Sequence, residues 1–86
     1  MLLQRTERVK RAYKKLDPQK QGQVVKALGL ITSDLRHPSL QAKRVKGTAG
    51  IWEARASLAL RITFEMQSDI IVLRNVGEHD ATLNNP

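Results

Sequence analysis

The chain has 86 residues, 41% apolar and 27% charged, with 15 Lys and Arg against 8 Asp and Glu, for a formal charge of +7. That length fits one domain over residues 1–86, and the apolar fraction is enough for a small core, which argues against intrinsic disorder. The absence of cysteine excludes a disulfide scaffold, a thiolate metal site and a cysteine nucleophile. No apolar run approaches the roughly 20 residues that cross a bilayer. The start, Met1-Leu2-Leu3-Gln4-Arg5, lacks the long apolar stretch of a secretory signal, so secretion by that route is not expected. Residues 1–46 hold 12 basic and 3 acidic side chains, whereas residues 47–86 hold 3 and 5. A basic half points to a polyanionic partner such as RNA, DNA or an acidic protein.

Leu2 and Leu3 suit a short edge strand. Val9, Ala12, Tyr13 and Leu16 then recur at the spacing of one helical face, with Thr6 as its cap and Glu7 in its first turn. Asp17-Pro18 reads as an N-cap followed by proline at the first helical position. A second helical stripe follows at Val24, Val25, Leu28, Ile31 and Leu35, ended by His37-Pro38. Beyond Pro38 the period changes to two. Trp52, Ala54 and Ala56 alternate with Glu53 and Arg55; Leu60, Ile62, Phe64 and Met66 alternate with Arg61, Thr63 and Glu65. Such alternation marks half-buried strands. Ile70 to Val76 is apolar on both faces except at Arg74 and Asn75, as an interior strand requires. Breaks at Ser57-Leu58-Ala59 and Ser68-Asp69 favour antiparallel hairpins. The fold class is therefore α+β: an N-terminal helical hairpin packed on a small antiparallel sheet of three to four strands.

A three-residue loop at 57–59 sets Ala56 across from Leu60, Ala54 from Ile62 and Trp52 from Phe64. The same register puts Arg55 opposite Arg61, with Glu53 opposite Thr63, on the other face. Like charges across a strand pair repel. Two explanations stand: Glu53 and Glu65 neutralise the arginines in a solvated network, or the pair forms an anion cradle for phosphate. Lys43, Arg44 and Lys46 enter the sheet just before it, suited either to a solvated charge run or to sequence-independent contacts with a phosphate backbone. If this segment is extended, Arg44 and Lys46 share a face. His79 follows the last strand in Gly77-Glu78-His79-Asp80, where it could donate or accept a proton, with Asp80 adjacent to orient it. One His and one Asp are too few ligands for a metal. His37, beside a proline, shapes a turn. No phosphate-binding GxxxxGK[ST] loop, GxSxG elbow or HExxH motif is present, and three aromatic residues are too few for base stacking across a sheet.

Taken together, His37-Pro38-Ser39-Leu40, Lys43-Arg44-Val45-Lys46-Gly47, Ile51-Trp52-Glu53-Ala54-Arg55, Leu60-Arg61-Ile62-Thr63-Phe64 and Val76-Gly77-Glu78-His79-Asp80 resemble the RelE/ParE superfamily of bacterial toxin–antitoxin toxins. The similarity extends over nearly the whole chain. It implies a cytoplasmic toxin. RelE-like members cleave mRNA on the ribosome without metal or cofactor, and a cognate acidic antitoxin neutralises them. ParE-like members share the fold and inhibit DNA gyrase instead. On this resemblance Arg55, Arg61 and His79 are the catalytic candidates, and Lys43, Arg44 and Lys46 bind the RNA backbone. Two departures stand out: Leu60 precedes Arg61 where the family often has an aromatic residue, and the tail Ala81-Thr82-Leu83-Asn84-Asn85 lacks the tyrosine of RelE. The second departure also admits a weakly active member of the fold.

Overall fold

A computed structural model describes residues 2–86 of the chain. The elements are β1 (Leu2–Arg5), α1 (Glu7–Lys14), α2 (Pro18–Ser33), a short 3-10 turn (Pro38–Leu40), β2 (Lys43–Arg44), β3 (Ile51–Arg55), β4 (Leu60–Gln67), β5 (Ile70–Glu78) and α3 (His79–Asn84). The five strands form one sheet in the order β1-β5-β4-β3-β2. The sheet is mixed, since β1 runs parallel to β5 whereas the other three pairings are antiparallel.

This architecture extends and corrects the sequence expectation. The edge strand expected at Leu2 and Leu3 forms as β1 and precedes the helical hairpin, which is therefore not the first element, and the sheet has five strands rather than three to four. The parallel pairing arises because α1 and α2 lie between β1 and the meander in sequence, so the chain returns to lie beside β1 after a long crossover. Each helix starts where its cap lies. Thr6 Oγ1 accepts from Val9 N at 3.1 Å, and Asp17 Oδ1 accepts from Lys20 N at 2.9 Å with Pro18 in the first turn. The second helix ends at Ser33, and His37 caps the 3-10 turn instead. His79–Asn84, most of which is read above as a tail, form α3.

The expected hairpin register holds, pairing Arg55 with Arg61, Ala54 with Ile62 and Trp52 with Phe64. Ala54, Leu60, Ile62, Phe64, Ile71, Leu73 and Val76 turn one face of the sheet toward Val9, Val24, Ala27 and Ile31 of the helices, and all are buried. Trp52 stacks on Phe64 with ring centroids 6.4 Å apart. The polar face of β4 departs from the half-exposed expectation: Arg61 and Thr63 are 5% and 0% exposed. The cause is the C-terminal segment, which folds back across that face. Thr63 Oγ1 and Arg74 Nε donate to the main-chain oxygen of Pro86 at 3.1 and 3.2 Å, and Asn75 Nδ2 donates to that of Asn85 at 3.1 Å. A bulge between Thr63 and Phe64 lets Arg74 and Asn75, consecutive in β5, both reach the tail. Among the described residues no helix is long and apolar enough to cross a membrane.

Thr6 joins three elements through one hydroxyl, capping α1 while donating to Leu73 O of β5 at 2.9 Å. Thr6→Ala is therefore expected to lower unfolding free energy by about 1–2 kcal/mol, and Thr6→Ser to restore most of it, as read from urea denaturation.

Candidate active site

The two arginines paired across β3 and β4 sit in different environments. Arg61 carries a side chain only 6% exposed, and its Nη1 donates to the carbonyls of Ser57, Leu58 and Leu60, each at 3.1 Å. Its Nε lies 3.8 Å from Glu53 Oε1 without a hydrogen-bond partner, and Glu53 is itself buried. Burial lowers the guanidinium pKa, the positive charge of Arg55 lowers it further, and Glu53 opposes both. Arg61 thus holds the 57–60 turn from beneath. Arg55 is half-buried, and among the described residues no carboxylate lies within ion-pair distance of it. The solvated neutralising network expected of Glu53 and Glu65 does not form: Glu53 serves Arg61 from a buried position, and Glu65 pairs with Arg74 at 3.4 Å.

His79, which follows the last strand, is the first residue of α3. Its backbone N–H donates to Ala59 O at 2.8 Å, which fixes it to the same turn that Arg61 holds. Gly77, two residues earlier, is the cross-strand partner of Arg61. Arg55, Arg61 and His79 therefore gather at one end of the sheet, around residues 57–60. The His79 imidazole is half-exposed, with Nδ1 2.6 Å from Asp80 Oδ1, so the adjacent carboxylate does orient the ring and leaves Nε2 free of any partner among the described residues.

The basic segment before β3 divides. Lys43 pairs with Glu53 and shares its face with Arg55 and Arg61, whereas Arg44 pairs with Trp52 on the opposite face, its guanidinium 5.6 Å from the ring centroid. Lys46 is exposed in the loop beyond the two-residue strand, so the extended run expected of this segment stops at Arg44. Sequence reasoning missed the tail residues over the site. Their one legible signal is Gly77, where an added Cβ would lie 3.0 Å from Thr82 Oγ1 of α3. Among the described residues no three His, Asp or Glu side chains converge as metal ligands.

Two helices on one face of a five-stranded mixed sheet, with a short third helix and the C-terminal segment on the other, form a fold shared with solved toxins of the RelE/ParE kind. The chain aligns with YoeB from Staphylococcus aureus at TM-score 0.76 and 13% identity over 92% of this chain and 97% of that one. YafQ from Escherichia coli aligns at TM-score 0.76 and 11% identity, covering 93% and 94%. The toxin of the E. coli RelBE toxin–antitoxin complex aligns at TM-score 0.72 and 17% identity, covering 92% and 96%. No protein-family model and no curated protein matches the sequence.

Arg61→Ala is expected to cost about 3–5 kcal/mol in urea unfolding, because it strands the buried Glu53 and releases three carbonyls. Arg55→Ala should stay within about 0.5 kcal/mol in the same measurement. Gly77→Ala should push Thr82 outward and raise amide hydrogen exchange over residues 79–86 while the strands stay protected.

Proposed function

We propose that the chain is the toxin of a toxin–antitoxin pair and acts as an endoribonuclease on mRNA at the ribosome. What supports this reading is an unneutralised guanidinium, Arg55, at the same sheet end as an oriented and half-exposed imidazole, within a RelE-type fold. The 2′-hydroxyl attacks the adjacent phosphorus, forming the 2′-O–P bond as the bond to the 5′ oxygen breaks. No protein nucleophile is needed. Solvent takes the hydroxyl proton, and protonated His79, its Nδ1–H held by Asp80, delivers a proton from Nε2 to the leaving oxygen. Arg55 meets the charge that develops on the phosphate oxygens. Arg61, its Nη1 spent on carbonyls, acts from behind as a fixed positive charge and a support for the turn. Lys43 and Lys46 hold flanking phosphates, and Arg44 contributes through its hold on Trp52.

The partner in this reading is an acidic antitoxin. An open groove of about 380 Å³ between α1, α2 and the sheet has Val9, Tyr13, Val24 and Leu28 in its walls and Arg5, Lys10 and Lys14 at its rim. Apolar walls under a cationic rim suit an amphipathic helix with an acidic flank.

One observation favours a second reading, in which the chain inhibits DNA gyrase without cleaving RNA: the tail covers the sheet face beside Arg61, and Arg61 Nη1 is spent on three main-chain carbonyls. Induced expression separates the two. Cleavage of mRNA within ribosomes, lowered on the order of 10²-fold by His79→Ala and by Arg55→Ala, is the expected result. Undiminished cleavage in the double variant would overturn the site assignment, and loss of supercoiling with intact mRNA would establish the gyrase reading.

A further inference from the structure

Helix α1 separates two unlike surfaces. Its Tyr13 and Lys14 side borders the apolar groove. On its other side a cleft of about 360 Å³ runs between Arg8, Arg11 and Lys15 and the strand residues Asn75 and Gly77, over Ala12. The three cations follow the i, i+3, i+7 stripe and span about 10 Å along the helix axis. All three are exposed, and among the described residues none has a carboxylate within ion-pair distance. The nearby carboxylates are engaged elsewhere: Glu7 pairs with Lys10 at 3.3 Å and Glu78 with Lys20 at 3.0 Å. Asn75 is also occupied, by Asn85 O and by Val76 N, so it fixes the wall of the cleft. Arg8 gives one N–H to the main-chain oxygen of Asn85 and keeps its charge.

We infer that this cleft binds the phosphodiester backbone of the RNA substrate, as a site separate from the Arg55/His79 end of the sheet. The inference rests on the ribonuclease reading. Three aligned cations without carboxylates repel one another, and a polyanion relieves that repulsion by releasing its counterions. Every charge on the cleft is cationic, above a floor that includes Ala12, Leu16 and Val76, and a row of cations with no carboxylate among them suits phosphates better than a protein partner of mixed charge. Gly77 ties it to the chemistry: this residue lines the cleft and is the cross-strand partner of Arg61. A strand lying in the cleft thus runs directly to the catalytic end.

The test is fluorescence anisotropy with a 12-nucleotide single-stranded RNA carrying 2′-O-methyl groups, which blocks cleavage, titrated across salt concentrations. Arg11→Gln with Lys15→Gln leaves the Arg8 contact to the tail in place. This variant should make the slope of log affinity against log salt shallower by about 1.4, at about 0.7 per phosphate contact on a single strand. Lys26→Gln with Arg36→Gln removes the same charge on and just beyond α2 and should leave the slope within error of the parent. Equal slopes in parent and Arg11/Lys15 variant would overturn the cleft while leaving the ribonuclease reading standing. An equal slope change in both variants would reduce the effect to net charge and also overturn it. A parent chain that binds no RNA would remove the ribonuclease reading along with the cleft. If the Arg11/Lys15 variant lost affinity for a polyglutamate peptide and kept it for RNA, the cleft would be a surface for an acidic protein instead.

Discussion

The central place of β5, with one face buried and the other partly covered, organises the molecule. Ile71, Leu73 and Val76 pack toward the helices, and the other face receives the C-terminal segment, while β1 and β4 occupy the two edges. A strand so enclosed must be apolar nearly throughout, and residues 70–76 are apolar except at Arg74 and Asn75. Those two polar residues sit at the bulge and tether the tail. One strand thereby fixes both the core and the cover over the polar face.

The site end of the sheet depends on a division of labour between two like charges. Their repulsion is real, since the charge of Arg55 disfavours the charge on Arg61. It is tolerated because Arg61 is held by three carbonyls and lies near Glu53, leaving Arg55 without such compensation. Holding a cation beneath a turn keeps the turn rigid, and the backbone of His79 is bonded to that same turn. Positioning of the imidazole is thus linked to the buried arginine through residues 57–60, with no direct contact required.

Much of this was legible in the sequence. Two-residue alternation and the three-residue loop gave the β3–β4 register residue for residue, and Thr6 and Asp17 marked the helix starts. Local signals of that kind are set by neighbouring residues. The parallel pairing of β1 depends on Leu2–Arg5 meeting residues almost 70 positions away, and four residues carry too little pattern to declare it. The burial of Arg61 and Thr63 was likewise hidden, because a polar face at period two reads as solvent-facing until a distant segment covers it. Arg44 and Arg55 look equivalent in sequence, and only the register separates them onto opposite faces.

The tail lies down through its backbone. Arg8, Thr63, Arg74 and Asn75 all donate to main-chain oxygens of Asn85 and Pro86, so the grip ignores which side chains those residues carry. Ala81 and Asn84 point into solvent beside the site, uninvolved in that grip. Substitutions at Ala81 and Asn84 can therefore change the chemistry bordering this end of the sheet while the anchorage stays intact, whereas Thr82, buried against Gly77, has no such latitude.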